Sequence, residues 1–217
     1  MIVGMWMTRD PVTIEPRTSL AAASQLMSRY KIRRLPVVHQ TGDTSHLEGI
    51  ISATDLYRAC PPDRNPFAPG ALEGLSSELT AAQLMSRTPL TTTADAPIED
   101  VATLMRDRKI GALPVLNNKG ELVGLITESD IFRAFAAIFG EHSRGVRVTF
   151  KTSDGEDVFG FLAEAVRGRK VKVTSLISSR QDSHVLSVVR LSGEDVESVM
   201  DEIWKAGHQP LNVLRWS

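Results

Sequence analysis

A single cysteine, Cys60, in 217 residues excludes an internal disulfide framework. With Pro61-Pro62 beside it, the thiol is expected in a loop of a reduced, cytoplasmic protein. No apolar run approaches the ~18 residues that a membrane-spanning helix needs. The opening Met1-Ile2-Val3-Gly4-Met5-Trp6-Met7 is apolar, but it has no basic leader and stops at Arg9-Asp10, unlike a signal segment. Neither sign of charge dominates: 25 Lys and Arg face 26 Asp and Glu, for a net charge of −1. No overall field therefore draws the chain to nucleic acid or to an anionic membrane. His39, His46, His142, His184 and His208 lie scattered without metal-ligand spacing, so no metal site is expected. A nucleophile elbow, a phosphate loop and a dinucleotide-binding glycine fingerprint are all missing. Acid pairs such as Glu99-Asp100 and Glu194-Asp195 read as first-turn charges that complement helix dipoles. With no catalytic constellation in view, the chain is expected not to be an enzyme.

What the sequence does contain is a repeat. Its 42% hydrophobic and 24% charged residues suit an ordinary globular protein, and the pattern occurs twice. Met7-Thr8-Arg9-Asp10-Pro11-Val12-Thr13 returns as Met85-Ser86-Arg87-Thr88-Pro89-Leu90-Thr91. The register continues through Leu35-Pro36-Val37-Val38 and Leu113-Pro114-Val115-Leu116. A short insertion in the first copy falls in the polar stretch 39–46, where a hairpin loop absorbs it at little cost. Apolar residues at Leu20, Ala23, Leu26-Met27 and at Ile98, Val101, Leu104-Met105 keep helical spacing. Asp95-Ala96-Pro97 marks a start for the second of these helices. Each copy therefore reads β-α-β-β-α, and each is too small to bury a core without its twin.

Both copies close on the same corner, Gly49-Ile50-Ile51-Ser52-Ala53-Thr54-Asp55 and Gly124-Leu125-Ile126-Thr127-Glu128-Ser129-Asp130. A buried strand runs there into a helix N-terminus, gathering free backbone N–H groups, a hydroxyl and a carboxylate that suit a sugar-phosphate ligand. Ser52-x-x-Asp55 and Thr127-x-x-Asp130 also fit helix capping boxes, in which those groups serve only their own backbone. Both readings stand at this level.

The P-x-T start, the L-P-V-V strand, the G-h-h-[ST]-x-x-D close and their tandem order resemble a pair of cystathionine-β-synthase-type (CBS) domains, or Bateman module, over about residues 1 to 140. The resemblance implies an α/β (α+β) fold of two pseudo-symmetrically paired β-α-β-β-α repeats, at 1–60 and 79–140, joined by a Pro- and Gly-rich linker at 61–78. It further implies an adenosine compound (AMP, ADP, ATP or S-adenosylmethionine) in clefts between the repeats and no cofactor; among the nucleotides AMP is favoured, because of Glu128 beside Thr127. Asp55 and Asp130 would take the ribose hydroxyls, and Ser52, Thr54, Thr127 and Ser129 the ribose or phosphate. Val12, Thr13, Leu90 and Thr91 would meet the base, flanked by Pro36 and Pro114. Arg33-Arg34 match a phosphate-directed pair, or else stand solvated at a strand edge. Gly111-Ala112 replace them in the second copy, so the two clefts are expected to differ. Glu128 is expected to oppose a dense phosphate tail.

Beyond the polar break at 141–145 the period changes. Val146, Val148 and Phe150 alternate as a strand; a helix follows over 157–167, then strands over 171–177 and 184–191. Ser192-Gly193-Glu194-Asp195 reads as a capping box opening a helix, and Pro210 to Trp216 as a last strand. The order β-α-β-β-α-β is the ferredoxin-like split unit, assigned to 145–217. It is similar to ACT domains, which imply an effector loop, here Ser153 to Asp157 around Gly155. That loop lacks the family's usual proline and carries three acids, which would repel an anion. The acids are expected to serve the helix start. The three-part order resembles acetoin-utilisation proteins of the CBS-plus-ACT type. It implies a regulatory homodimer that senses nucleotide and relays it to an unknown partner enzyme; a structural adaptor without ligand is the alternative.

Overall fold

The computed structural model describes residues 1–42, 44–60, 64–68, 79–138, 145–153, 155–181, 184–208 and 210–216. Most of the expected 61–78 linker, the polar break at 141–144 and Asp154 lie outside them. The fold is mixed α and β, in two compact units, Met1–Arg133 and Ala134–Ser217.

In the first unit the first copy supplies β1 (Thr8–Arg9), α1 (Leu20–Tyr30), β2 (Arg34–Thr41), β3 (Thr44–Ser52) and α2 (Ala53–Ala59). The second supplies α3 (Ala81–Leu84), β4 (Ser86–Arg87), α4 (Ile98–Arg108), β5 (Ala112–Leu116), β6 (Leu122–Thr127) and the first residues of α5 (Glu128–Ile138). Helix α1 starts where the Ser19 hydroxyl accepts the Ala22 N–H. It buries Leu20, Ala23 and Met27 against Leu35, Val37 and Ile51 of the sheet. Helix α4 starts at Ile98 as the spacing predicts, but Pro97 occupies the cap position and no side chain caps it, Asp95 included. Lys31 and Lys109 end the two helices in the left-handed region, at φ 53° each.

The β-α-β-β-α order holds along each copy, but the first strand of each joins the other copy's sheet. Strand β1 pairs with β6 of the second copy, and β4 with β3 of the first, giving sheets β1-β6-β5 and β2-β3-β4. The exchange includes the flanking turns: Val3 and Gly4 donate to the Ala96 and Ala94 carbonyls, while Ala81 and Ala82 donate to Thr18 and Pro16. Each copy thus lends an N-terminal arm to its twin, which completes a core that neither could close alone.

In the second unit β7 (Gly145–Thr152), α6 (Val158–Ala165), β8 (Val171–Gln181), β9 (His184–Gly193), α7 (Val196–Lys205) and β10 (Pro210–Trp216) follow the expected β-α-β-β-α-β order. The antiparallel sheet runs β10-β7-β9-β8. Phe150, Val189 and Leu191 of the sheet meet Leu162, Val199, Met200 and Ile203 of the helices in one core. The capping box expected at Ser192 is absent, because Ser192 still belongs to β9, paired with Lys172. Asp195 Oδ2 instead accepts the Lys170 N–H at 2.9 Å.

Candidate functional site

The two corners form at the ends of β3 and β6, where strand gives way to helix. At the first, Asp55 Oδ2 accepts the Ser52 N–H at 2.8 Å and the Ser52 hydroxyl at 2.6 Å, while the Asp55 N–H donates to Ser52 Oγ at 3.4 Å. At the second, Asp130 Oδ2 accepts the Thr127 N–H at 2.9 Å and the Thr127 hydroxyl at 2.7 Å, and the Asp130 N–H donates to Thr127 Oγ1 at 3.4 Å. Capping boxes are therefore present at both. One oxygen of each carboxylate belongs to the chain's own backbone, so a ligand has only the other to use.

That second oxygen separates the corners. Asp130 Oδ1 accepts Arg133 Nη2 at 2.8 Å, and the same nitrogen donates to the Trp6 carbonyl at 2.7 Å. Asp130 is only 5% exposed. Asp55 Oδ1 has Arg58 Nη1 at 4.0 Å, beyond hydrogen-bond range, and its side chain is 20% exposed. Asp55 is free to accept, whereas Asp130 is engaged on both oxygens.

A cleft of about 380 Å³ opens over the first corner. Ser52, Thr54, Asp55 and Arg58 form one wall, and Ser86, Pro89 and Leu90 of the second copy's arm form another. Arg33, Arg34, Lys109, Ile110, Gly111 and Ala112 complete it. Four cations thus share the lining with one carboxylate and with the apolar Ile50, Leu90 and Ile110. That composition suits a ligand with an anionic tail and a flat apolar ring. The second cleft, about 190 Å³, is lined by Thr8, Lys31, Ile32, Arg33, Arg34, Thr127, Glu128, Ser129 and Asp130. It is half the size and holds two acids.

Arg34 enters both clefts from the first residue of β2. Gly111 leaves room for it: a Cβ there would overlap Arg34 Nη2 and lie 2.7 Å from Glu128 Oε2, the ends of two long side chains. Burial pushes the Arg34 guanidinium below the usual arginine range; Glu128 opposes that shift and Arg33 adds to it. The guanidinium stays charged at any physiological pH.

Of the residues singled out from the sequence, Arg33, Arg34, Ser52, Thr54, Asp55, Leu90 and Ala112 converge on the larger cleft, and Thr127, Ser129 and Asp130 on the smaller. Val12, Thr13, Pro36, Thr91 and Pro114 line neither. Pro36 and Pro114 act through their carbonyls, which accept the Ile14 and Thr92 N–H groups and so anchor the segments that follow Pro11 and Pro89. Arg58 and Lys109 had escaped the sequence reading. Arg58 lies one helical turn beyond Asp55, a spacing that signals a shared face. Lys109 carries no such signal, since its direction is set by the left-handed end of α4. In the second unit Gly155 has φ +83° with open space around it. The acids beside it are engaged, Asp157 with the Gly160 N–H and Glu156 with the Ser153 N–H and His208.

The CBS domain family model matches residues 3–61 and 81–137, more than half of the chain. A CBS domain-containing protein of Dictyostelium discoideum is 34% identical over 134 residues, 60% of this chain and 88% of its own length. The inosine-5'-monophosphate dehydrogenase of Mycobacterium leprae is 34% identical over 128 residues, 58% of this chain; the chain spans only 21% of that enzyme's length. Among solved structures, CBSX2 in complex with AMP superposes with a TM-score of 0.51 at 27% identity, covering 64% of this chain and 98% of that one. A candidate acetoin utilization protein (AcuB) from Vibrio cholerae gives a TM-score of 0.52 at 29% identity, covering 64% and 93%. With two matched copies, exchanged arms and a shared corner in each, the chain belongs to the CBS-domain family as a tandem pair.

Proposed function

We propose that the chain is a non-catalytic regulatory protein that binds an adenosine nucleotide in the larger cleft. The observation that carries this reading is the Asp55 corner, where a carboxylate oxygen with no hydrogen bond among the described residues faces a cleft ringed by Arg33, Arg34, Arg58 and Lys109. Asp55 Oδ1 accepts from the ribose hydroxyls, and the cations hold the phosphates. Ile50, Leu90 and Ile110 flank the adenine. The AMP complex of the similar CBSX2 supports this ligand class. Four cations accommodate ADP or ATP as well as the AMP that the sequence favours.

The β-α-β-β-α-β unit at 145–217 acts as an ACT-like domain that relays cleft occupancy to a partner, with a place in acetoin utilisation supported by the likeness to AcuB. Ligand binding favours one arrangement of the repeats by its differential affinity for that arrangement. Exposed Tyr57 and Phe132, at 53% and 72%, support assembly as a homodimer.

A second reading is favoured by one observation: Asp130 has its carboxylate bonded to Thr127 and Arg133, so its corner is a structural cap. In its full form this makes the chain an adaptor without ligand. Calorimetric titration with AMP, ADP and ATP decides between them. A ligand at a hundred times its Kd adds about 2.7 kcal/mol, a rise of roughly 10 °C in the unfolding of the first unit. Asp55→Asn is expected to weaken binding at least tenfold with little change in the ligand-free melting temperature. If no adenine nucleotide binds, the adaptor reading replaces this one; if Asp55→Asn binds as the natural protein does, the Asp55 corner is not what holds the ligand.

A further inference from the structure

The first unit presents two clefts, one at each corner. They share a wall. Arg33 and Arg34 line both the larger cleft with Asp55 and the smaller one with Asp130. The second copy has Gly111 and Ala112 at the equivalent positions, so it brings no matching cations of its own. Arg34 Nη2 and Glu128 Oε2 both lie against Gly111, in the space that a side chain there would fill. Glu128 lines the smaller cleft only.

We infer that Arg34 is a single cation for which three anions compete, namely a phosphate in the larger cleft, a phosphate in the smaller cleft and the resident Glu128 carboxylate, so that one polyphosphate ligand excludes a second. The inference deepens the nucleotide-binding reading by adding a regulatory consequence to it. An anion that settles in the larger cleft meets Arg33, Arg34, Arg58 and Lys109, and draws Arg34 away from Glu128. With Arg33 and Arg34 drawn to that anion, the smaller cleft keeps Lys31 against Glu128, Asp130 being already paired with Arg133, so it has no surplus cation to hold a second phosphate. Glu128 thereby acts as an internal stand-in for phosphate. With the ligand gone it faces Arg34 across Gly111 and attracts it by charge, and with the ligand bound it guards the second cleft. The effect scales with anionic charge, so it is strongest for a triphosphate and absent for adenosine.

The test is stepwise calorimetric titration of the full chain with inorganic tripolyphosphate and, separately, with ATP. Tripolyphosphate probes the competition without relying on recognition of a nucleoside. The natural chain should bind one tripolyphosphate, with any second binding at least tenfold weaker. Glu128→Gln, nearly isosteric, should strengthen the second step by about tenfold. Arg34→Gln should weaken both steps, whereas Arg58→Gln should weaken the first alone. Two equal and independent sites in the natural chain would overturn the inference, as would a Glu128→Gln variant with an unchanged ratio of steps or an Arg34→Gln variant that loses only one step. Failure of tripolyphosphate to bind at all overturns it too. If tripolyphosphate follows the expected pattern and ATP does not bind, the competition stands and the adenosine reading falls.

Discussion

Gly49 and Gly124 open the two corner motifs, and their lack of a side chain follows from the arm exchange. Gly49 pairs with Arg87, and Gly124 with Arg9. A Cβ on Gly49 would stand 2.6 Å from Met85 Sδ and 2.9 Å from the Ser86 carbonyl oxygen; on Gly124 it would stand 2.6 Å from Met7 Sδ and 3.1 Å from the Thr8 carbonyl oxygen. A methionine tip can swing away, while a paired strand cannot. Gly49→Ala is therefore expected to cost about 1–3 kcal/mol through overpacking, and Gly124→Ala less, as thermal unfolding of the two variants will report. Thr88 is the opposite case. It holds φ 46°, where a β-branched residue is strained, while Asp10 at φ 45° in the matching place tolerates it better. Thr88→Asn should stabilise the chain by about 0.5–1 kcal/mol, seen as a rise in melting temperature of roughly 2–4 °C. Asp130→Asn belongs to this scale too. With Asp130 buried and bonded to Thr127 and Arg133, its loss should lower stability by about 1–3 kcal/mol, more than that of the half-buried Asp55, which has no cation within hydrogen-bond range.

Among the elements, the short arms are the pieces whose role reverses between sequence and structure. Thr8–Arg9 reads as the first strand of the first copy, yet it pairs with β6 of the second. Removal of residues 1–9 should strip hydrogen-exchange protection from β6 and β5 while β2 and β3 keep theirs. Equal loss in both sheets would contradict the exchange. A second such tie lies in the other unit. His208, 8% exposed, sits between Phe150 and Phe161 at centroid distances of 5.4 and 5.5 Å, with Nε2 2.7 Å from Glu156 Oε1. It fastens the loop after β7 to the end of α7, where the His208 N–H donates to the Ile203 carbonyl. His208→Ala should cost about 2–4 kcal/mol through the cavity and the carboxylate left without its partner, and His208→Phe should recover the packing share alone.

On the scale of the whole molecule, the two units have separate cores, so calorimetry should resolve two unfolding transitions, with adenine nucleotide raising one of them. Much of this organisation was legible in the chain. Helical spacing from Leu20 to Met27 and from Ile98 to Met105, and alternation at Val146, Val148 and Phe150, placed helices and strands because burial imposes those periods locally. The corner motifs located the clefts for the same local reason, since a hydroxyl and an acid three residues apart must meet at a helix start. The asymmetry between the clefts was half visible. Gly111-Ala112 in place of an arginine pair announced a difference, but not that Arg34 would reach across to fill the space over Gly111.

The repeat, its corners and the order of elements are properties of neighbours along the chain, and the sequence alone determined them because periodicity, capping and turn chemistry act over a few residues. Which sheet each arm joins, which acid keeps an oxygen for a ligand and which cation serves two clefts depend on residues far apart in number. Folding decided those, through the burial and charge pairing that exist only once the two copies close on each other.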